Sequence, residues 1–218
     1  MTSTRKTTTA PFLEALFALA PCLATAVAFA ALPVPGSGQL APGNAAGVTW
    51  GHVHMNVSDV DEHVRIWVEH FGGRRLDFPV ATVALPNTLL MFNDQTPTEG
   101  TQGSSLDHFG FSVPDVEAFL ERWRADGLVV ESEFNGFGDQ PQAYLRLPDG
   151  IRVELEQVPT LSEPAVPYHV HLYTDGDPET LRNWFAEQFS MDPRERGFNP
   201  YTADVPGMNV SFSPSETP

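Results

Sequence analysis

Residues 48–218 read as an α+β protein assembled from repeated βαβββ modules. Three observations predict this. His-x-His recurs inside an apolar run ending in Asp, as GHVHMNVSD at 51–59 and PYHVHLYTD at 167–175, and His52 is as far from His169 as His54 is from His171. A third run of the same character, LDHFGFSV at 106–113, lies between them. Each run is followed by apolar residues at helical spacing and then by short segments of strand-like composition.

The first module spans 48–97. Residues 49–58 form its opening strand, and Ser58 or Asp59 caps a helix whose apolar face is Val60, Val64, Trp67, Val68 and Phe71. Gly72-Gly73 ends that helix. Leu76–Leu85 and Thr88–Asn93 follow as strands about a Pro86-Asn87 turn. His63 and His70 fall beside the polar face of the helix, where solvated surface is expected. The second module spans 104–158. Asp115 caps a helix that buries Val116, Phe119, Leu120 and Trp123, and Gly127 stops it. Strands follow at 128–134, 142–147 and 151–157, the last two joined by Pro148-Asp149-Gly150, a turn tripeptide. The third module spans 166–218. Asp177 caps, Pro178 takes the first helical position, and Leu181, Trp184, Phe185 and Phe189 form the stripe expected to be buried.

A module of about 50 residues is too small to cover its own sheet face, so modules should pair. The expected arrangement is one complete two-module domain at 48–158 and an unpaired third module at 166–218. Either the sequence is then a fragment of a longer chain, or that third module is a surface for a homodimer.

Residues 1–47 differ from the rest. Arg5 and Lys6 precede an Ala-rich apolar stretch and then the linker PGSGQLAPGNAAG. This pattern predicts a signal peptide, and so an exported protein, or an anchor holding the chain to a membrane. Cys22 is the only cysteine, so a disulfide or a thiolate metal site is excluded beyond it, and any metal must be held by nitrogen and oxygen. The net charge of −16 argues against nucleic acid as a partner.

Aligning the three opening strands by their trailing apolar-x-Asp puts His52, His108 and His169 in register. Strand alternation sends His52 and His54 to one face, and likewise Glu154 and Glu156 in IRVELEQ. The corresponding positions elsewhere read as Phe92 and Phe212, which offer no donor.

LDHFGFSV and AYLRLPDGIRVELEQ together resemble the vicinal oxygen chelate superfamily, which includes glyoxalase I, fosfomycin resistance proteins, extradiol dioxygenases and bleomycin resistance proteins. The resemblance implies paired βαβββ modules and a divalent ion (Fe, Mn, Zn or Ni) held by His52, His108 and Glu154. Glu156 is the rival to Glu154. Leu147 stands where the family commonly has Asp before Pro-Asp-Gly, and Phe92 stands where a fourth ligand would be. The implied activity is that of a metal-dependent enzyme, lyase, isomerase or dioxygenase, acting on a small substrate chelated through adjacent oxygens, with His54 or Tyr144 handling protons. His169 and His171 would need a fourth module to complete a site. The alternative is a metal-free binding protein of the bleomycin resistance type.

Overall fold

A computed structural model of the chain describes residues 40–215, and the segment expected to be a signal peptide or anchor lies outside them. No helix among the described residues is long and apolar enough to cross a membrane. Three βαβββ modules are present. The first comprises β1 (His52–Val57), α1 (Val60–Glu69), β2 (Arg74–Leu76), β3 (Ala81–Leu85) and β4 (Thr88–Asp94). The second comprises β5 (Leu106–Val113), α2 (Val116–Ala125), β6 (Val129–Asn135), β7 (Pro141–Arg146) and β8 (Arg152–Gln157). The third comprises β9 (Val166–Thr174), α3 (Pro178–Phe189), β10 (Asp192–Arg196), β11 (Asn199–Val205) and β12 (Met208–Pro214). Asp59, Asp115 and Asp177 each accept a backbone N–H three residues on, as side chains that cap helices do.

The pairing of modules departs from the expected one. β5 and β9 run antiparallel, joining the second and third modules into an eight-stranded sheet, β10-β11-β12-β9-β5-β8-β7-β6. The third module therefore has its partner within the chain. The first module keeps a separate four-stranded sheet, β1-β4-β3-β2, with β1 at its edge. It covers the second module by its helix instead: Trp67 of α1 stacks on Phe109 of β5 at 5.8 Å between ring centroids. Phe71 meets Phe119 of α2 at 5.1 Å. Apolar faces can be covered by helix or by strand, and hydrophobic patterning alone does not say which.

Two further expectations are corrected. His63 and His70 are buried, 0% and 7% exposed. The polar face of α1 looks solvated in isolation, but the second module offers it carboxylates. His63 Nε2 lies 3.1 Å from Asp149 Oδ2, and His70 Nε2 lies 3.1 Å from Asp126 Oδ2. On α3 the stripe is only part covered. Leu181 and Phe185 pack on the core, while Trp184 is 51% and Phe189 38% exposed. Arg65 of α1 and His70 at its end both meet Asp126 at the end of α2, whereas α3 packs on β10, β11 and β12 of its own module.

Asp149, in the left-handed region at φ 59°, ties the turn before β8 to the first module. Its carboxylate accepts from the Ser58 N–H at 2.8 Å and the Ser58 hydroxyl at 2.6 Å. Burial disfavours its charge, but the Ser58 and His63 contacts outweigh that and hold the carboxyl below its ordinary value. A lowered carboxyl pKa contributes stability that is present above the unfolded value and lost as pH falls through the folded one. Asp149→Ala is expected to cost about 1–3 kcal/mol at neutral pH. In urea titrations the penalty should shrink as pH drops through the carboxylate range; a pH-independent penalty would contradict the clamp.

Candidate metal centre

The antiparallel β5–β9 register sets the site. His108 pairs with His171, and Gly110 pairs with His169. Across the parallel neighbour, Gly110 pairs with Glu154 of β8. Two first strands and one last strand thus present His108, His169, His171 and Glu154 to one cavity region. Gly110 is required here, because a Cβ on it would lie 2.6 Å from the Tyr168 ring.

The donor atoms converge. His108 Nε2 is 3.0 Å from Glu154 Oε2, and His169 Nε2 is 3.4 Å from the same oxygen. His171 Nδ1 is 3.3 Å from His108 Nε2. One donor atom from each of the three histidines lies within 4.8 Å of the others. Ligands bonded at roughly 2.0–2.2 Å to one ion stand about 3 Å apart, so these spacings suit a shared cation. Two observations add to the fit. His169 Nε2 is buried without a hydrogen-bond partner. Asp107 Oδ1 accepts from His108 Nδ1 at 2.6 Å, which fixes that ring with Nε2 turned toward Glu154.

Charge is arranged to match. Burial alone would raise the Glu154 pKa, but the His108 hydrogen bond and the neighbouring histidines outweigh it, holding the carboxyl at about 2. Burial keeps His169 well below its ordinary value, and burial followed by the His108 charge brings His171 to about 4. Both rings are therefore neutral at physiological pH, with lone pairs to give. Burial also opposes charge on His108, but Asp107 and Glu154 overcome it and raise its pKa. Asp107 is itself held by the Gly103 N–H at 2.7 Å and by Arg152 at 3.0 Å. Asp107→Asn is expected to weaken zinc binding by roughly 10–100-fold, read by competition with a chromogenic chelator; unchanged affinity would deny Asp107 an orienting role.

Of the residues singled out by sequence, His108 and Glu154 come together and His52 does not. His52 and His54 stand exposed on β1 in the other sheet, 4.8 Å apart ring to ring. Tyr144 of β7 does reach the site, its ring 5.2 Å from that of His108. Glu156 is occupied elsewhere, accepting from the Ser112 hydroxyl at 2.6 Å and from Arg196 at 3.0 Å. His169 and His171, expected to lack a complementary module, supply the donors assigned to His52 and His54. The signal that could have found them was the equal spacing of the two His-x-His pairs, which makes either pair an equally good candidate opposite His108.

The fourth position is corrected as well. Residues paired like Gly110 with Glu154 are His54 with Met91 and His171 with Ser211. Phe92 and Phe212 instead correspond to core-facing Leu155, since a shift of one residue exchanges the faces of a strand. Buried Ser211, hydrogen-bonded to Asn209 at 2.9 Å, therefore stands where a second carboxylate could have been.

A cavity of about 320 Å³ opens beside this cluster, lined by His169, His171, Glu154, Tyr144, Phe137 and Phe198 among others. No curated protein matches the chain. The crystal structure of glyoxalase I from Zea mays superposes with a TM-score of 0.58 at 19% identity, over 76% of this chain and 68% of that one. A crystallised mutant of Zea mays glyoxalase I gives 0.60 at 19% identity, over 76% and 69%. At such identity the likeness is one of fold. The family model described as Glyoxalase/Bleomycin resistance protein/Dioxygenase superfamily matches residues 49–155. That segment belongs to the Glyoxalase/Bleomycin resistance protein/Dioxygenase superfamily, and a third module of the same build is joined to it at β9.

Proposed function

We propose that this protein is a metal-dependent enzyme acting on a small molecule that presents two adjacent oxygens. The observation that carries the reading is the meeting of His108, His169 and Glu154 at 3.0 and 3.4 Å, with the His169 nitrogen otherwise unpaired. These three residues would hold a divalent ion, and the nitrogen and oxygen donor set suits Fe, Mn, Zn or Ni. Such an ion, when bound, polarises oxygens that chelate it and lowers the pKa of bound water.

The chain's own groups point to proton transfer. His171, neutral and anchored through Nε2 to the Ser213 hydroxyl at 2.8 Å, keeps its other nitrogen beside the donor cluster and is the proton acceptor. Tyr144 is a hydrogen-bond donor to a substrate oxygen. Burial, and then the Glu154 charge, raise its pKa far above the ordinary phenol value, so its O–H stays intact. A proton acceptor and a hydrogen-bond donor flanking one substrate suit the isomerase or lyase type of reaction more than dioxygenation.

The test is calorimetric. Zinc-loaded protein is expected to bind lactate, whose hydroxyl and carboxylate oxygens are adjacent, and chelator-treated protein is expected not to. Equal binding by both forms would replace this reading with metal-free sequestration of the ligand.

A further inference from the structure

The mouth of the cavity is framed by two phenylalanines from different modules. Phe137 lies in the short 3₁₀ turn Phe137–Asp139 between β6 and β7, and Phe198 lies in the turn between β10 and β11. They are 63% and 81% exposed, yet their rings meet edge to face with centroids 5.4 Å apart. Aromatic surface held in water is unfavourable, and a contiguous exposed apolar patch at a cavity mouth is a candidate contact site. Neither turn needs a phenylalanine for its own bend. Gly138 and Gly197 take the left-handed conformations there, at φ 71° and 57°. A Cβ on Gly136 would fall 2.1 Å from the Gln142 side chain, so this loop runs tight against the cavity wall.

Below the mouth the wall is largely polar, with Gln140, Gln142, Tyr144 and Asn199 on it. Phe134 stacks on Tyr144 at 5.2 Å, and Tyr144 reaches the His108 ring. The charged groups on the intervening wall cancel, because Arg196 is paired to Glu156 while lying over the Tyr168 ring. The wall from mouth to floor thus has its Arg196 and Glu156 charges paired, and it ends at the donor cluster.

We propose that Phe137 and Phe198 are specificity-determining residues that clamp an apolar ring on the substrate, at the end opposite its adjacent oxygens. This rests on the chelating function proposed above and assigns the other half of the ligand. The two phenylalanine rings meet each other, and a planar ring on the substrate would take the place of that contact.

The experiment compares two probes on the zinc-loaded protein by calorimetry. Lactate and mandelate share the same hydroxy-acid end, and only mandelate carries a phenyl ring. Mandelate is expected to bind about tenfold more tightly. In the double variant F137A/F198A that preference should fall to within about twofold, with lactate affinity, zinc content and circular dichroism unchanged. Equal affinity in wild type, or a preference that survives in the double variant, would overturn the clamp alone. If neither probe binds wild type, the chelating function falls and the clamp falls with it.

Discussion

Zinc should be absent from purified His169→Ala protein after loading and desalting, and present at about one equivalent in His52→Ala. The two histidines hold equivalent places in their modules, so composition and strand position cannot separate them. Geometry does. His169 is 6% exposed and its Nε2 lies 3.4 Å from Glu154 Oε2, whereas His52 is exposed on the edge strand of the other sheet. Removing one of three protein donors should weaken the site by more than the roughly 10–100-fold typical of an orienting residue. Elemental analysis of both variants, with Glu154→Gln alongside, is the measurement. Zinc retained by His169→Ala and lost from His52→Ala would reinstate the ligand set drawn from sequence and refute the β5–β9 site.

Trp67→Ala is expected to destabilise the protein by about 3–5 kcal/mol, the range for deleting a fully buried large aromatic side chain. The indole is 0% exposed and sits between Phe71 at 4.4 Å, Phe111 at 5.5 Å and Phe109 at 5.8 Å. It thereby fastens the first module to the opening strand of the second. A companion substitution tests the chemistry of the loss. The Trp67 Nε1–H is buried without a hydrogen-bond partner, so Trp67→Phe removes an unsatisfied donor along with some volume. It should cost only about 1 kcal/mol, well under the alanine variant. Urea unfolding of all three proteins decides it. Equal losses for the two variants would mean that the indole nitrogen has a partner after all.

Much of the fold was legible because its signals are local. Asp59, Asp115 and Asp177 announce helix starts by their side chains, and Val116, Phe119, Leu120 and Trp123 fall on one helical face wherever that helix packs. The pairing of modules was not legible, because the edge of β9 and the edge of β1 carry nearly the same residues. Which of them lies against β5 depends on long-range packing, including Trp67 on Phe109. The site inherited that ambiguity. His108 and Glu154 could be found from the Pro-Asp-Gly turn and the opening strand of a single module, while their histidine partner depended on which edge was joined. The burial of His63 was hidden for a related reason: Asp149 lies 86 residues along the chain and meets the ring only in the folded protein.

The seam between β5 and β9 also separates what is recognisable in this chain from what it would need to function. The stretch that carries the family likeness stops at residue 155, on the near bank of that seam. A polypeptide cut after Val158 would still be assigned to the same superfamily, yet it would have lost both far-bank imidazoles. Kinship here can be read from one side alone, whereas the proposed donor cluster is complete only when the two sides are stitched together.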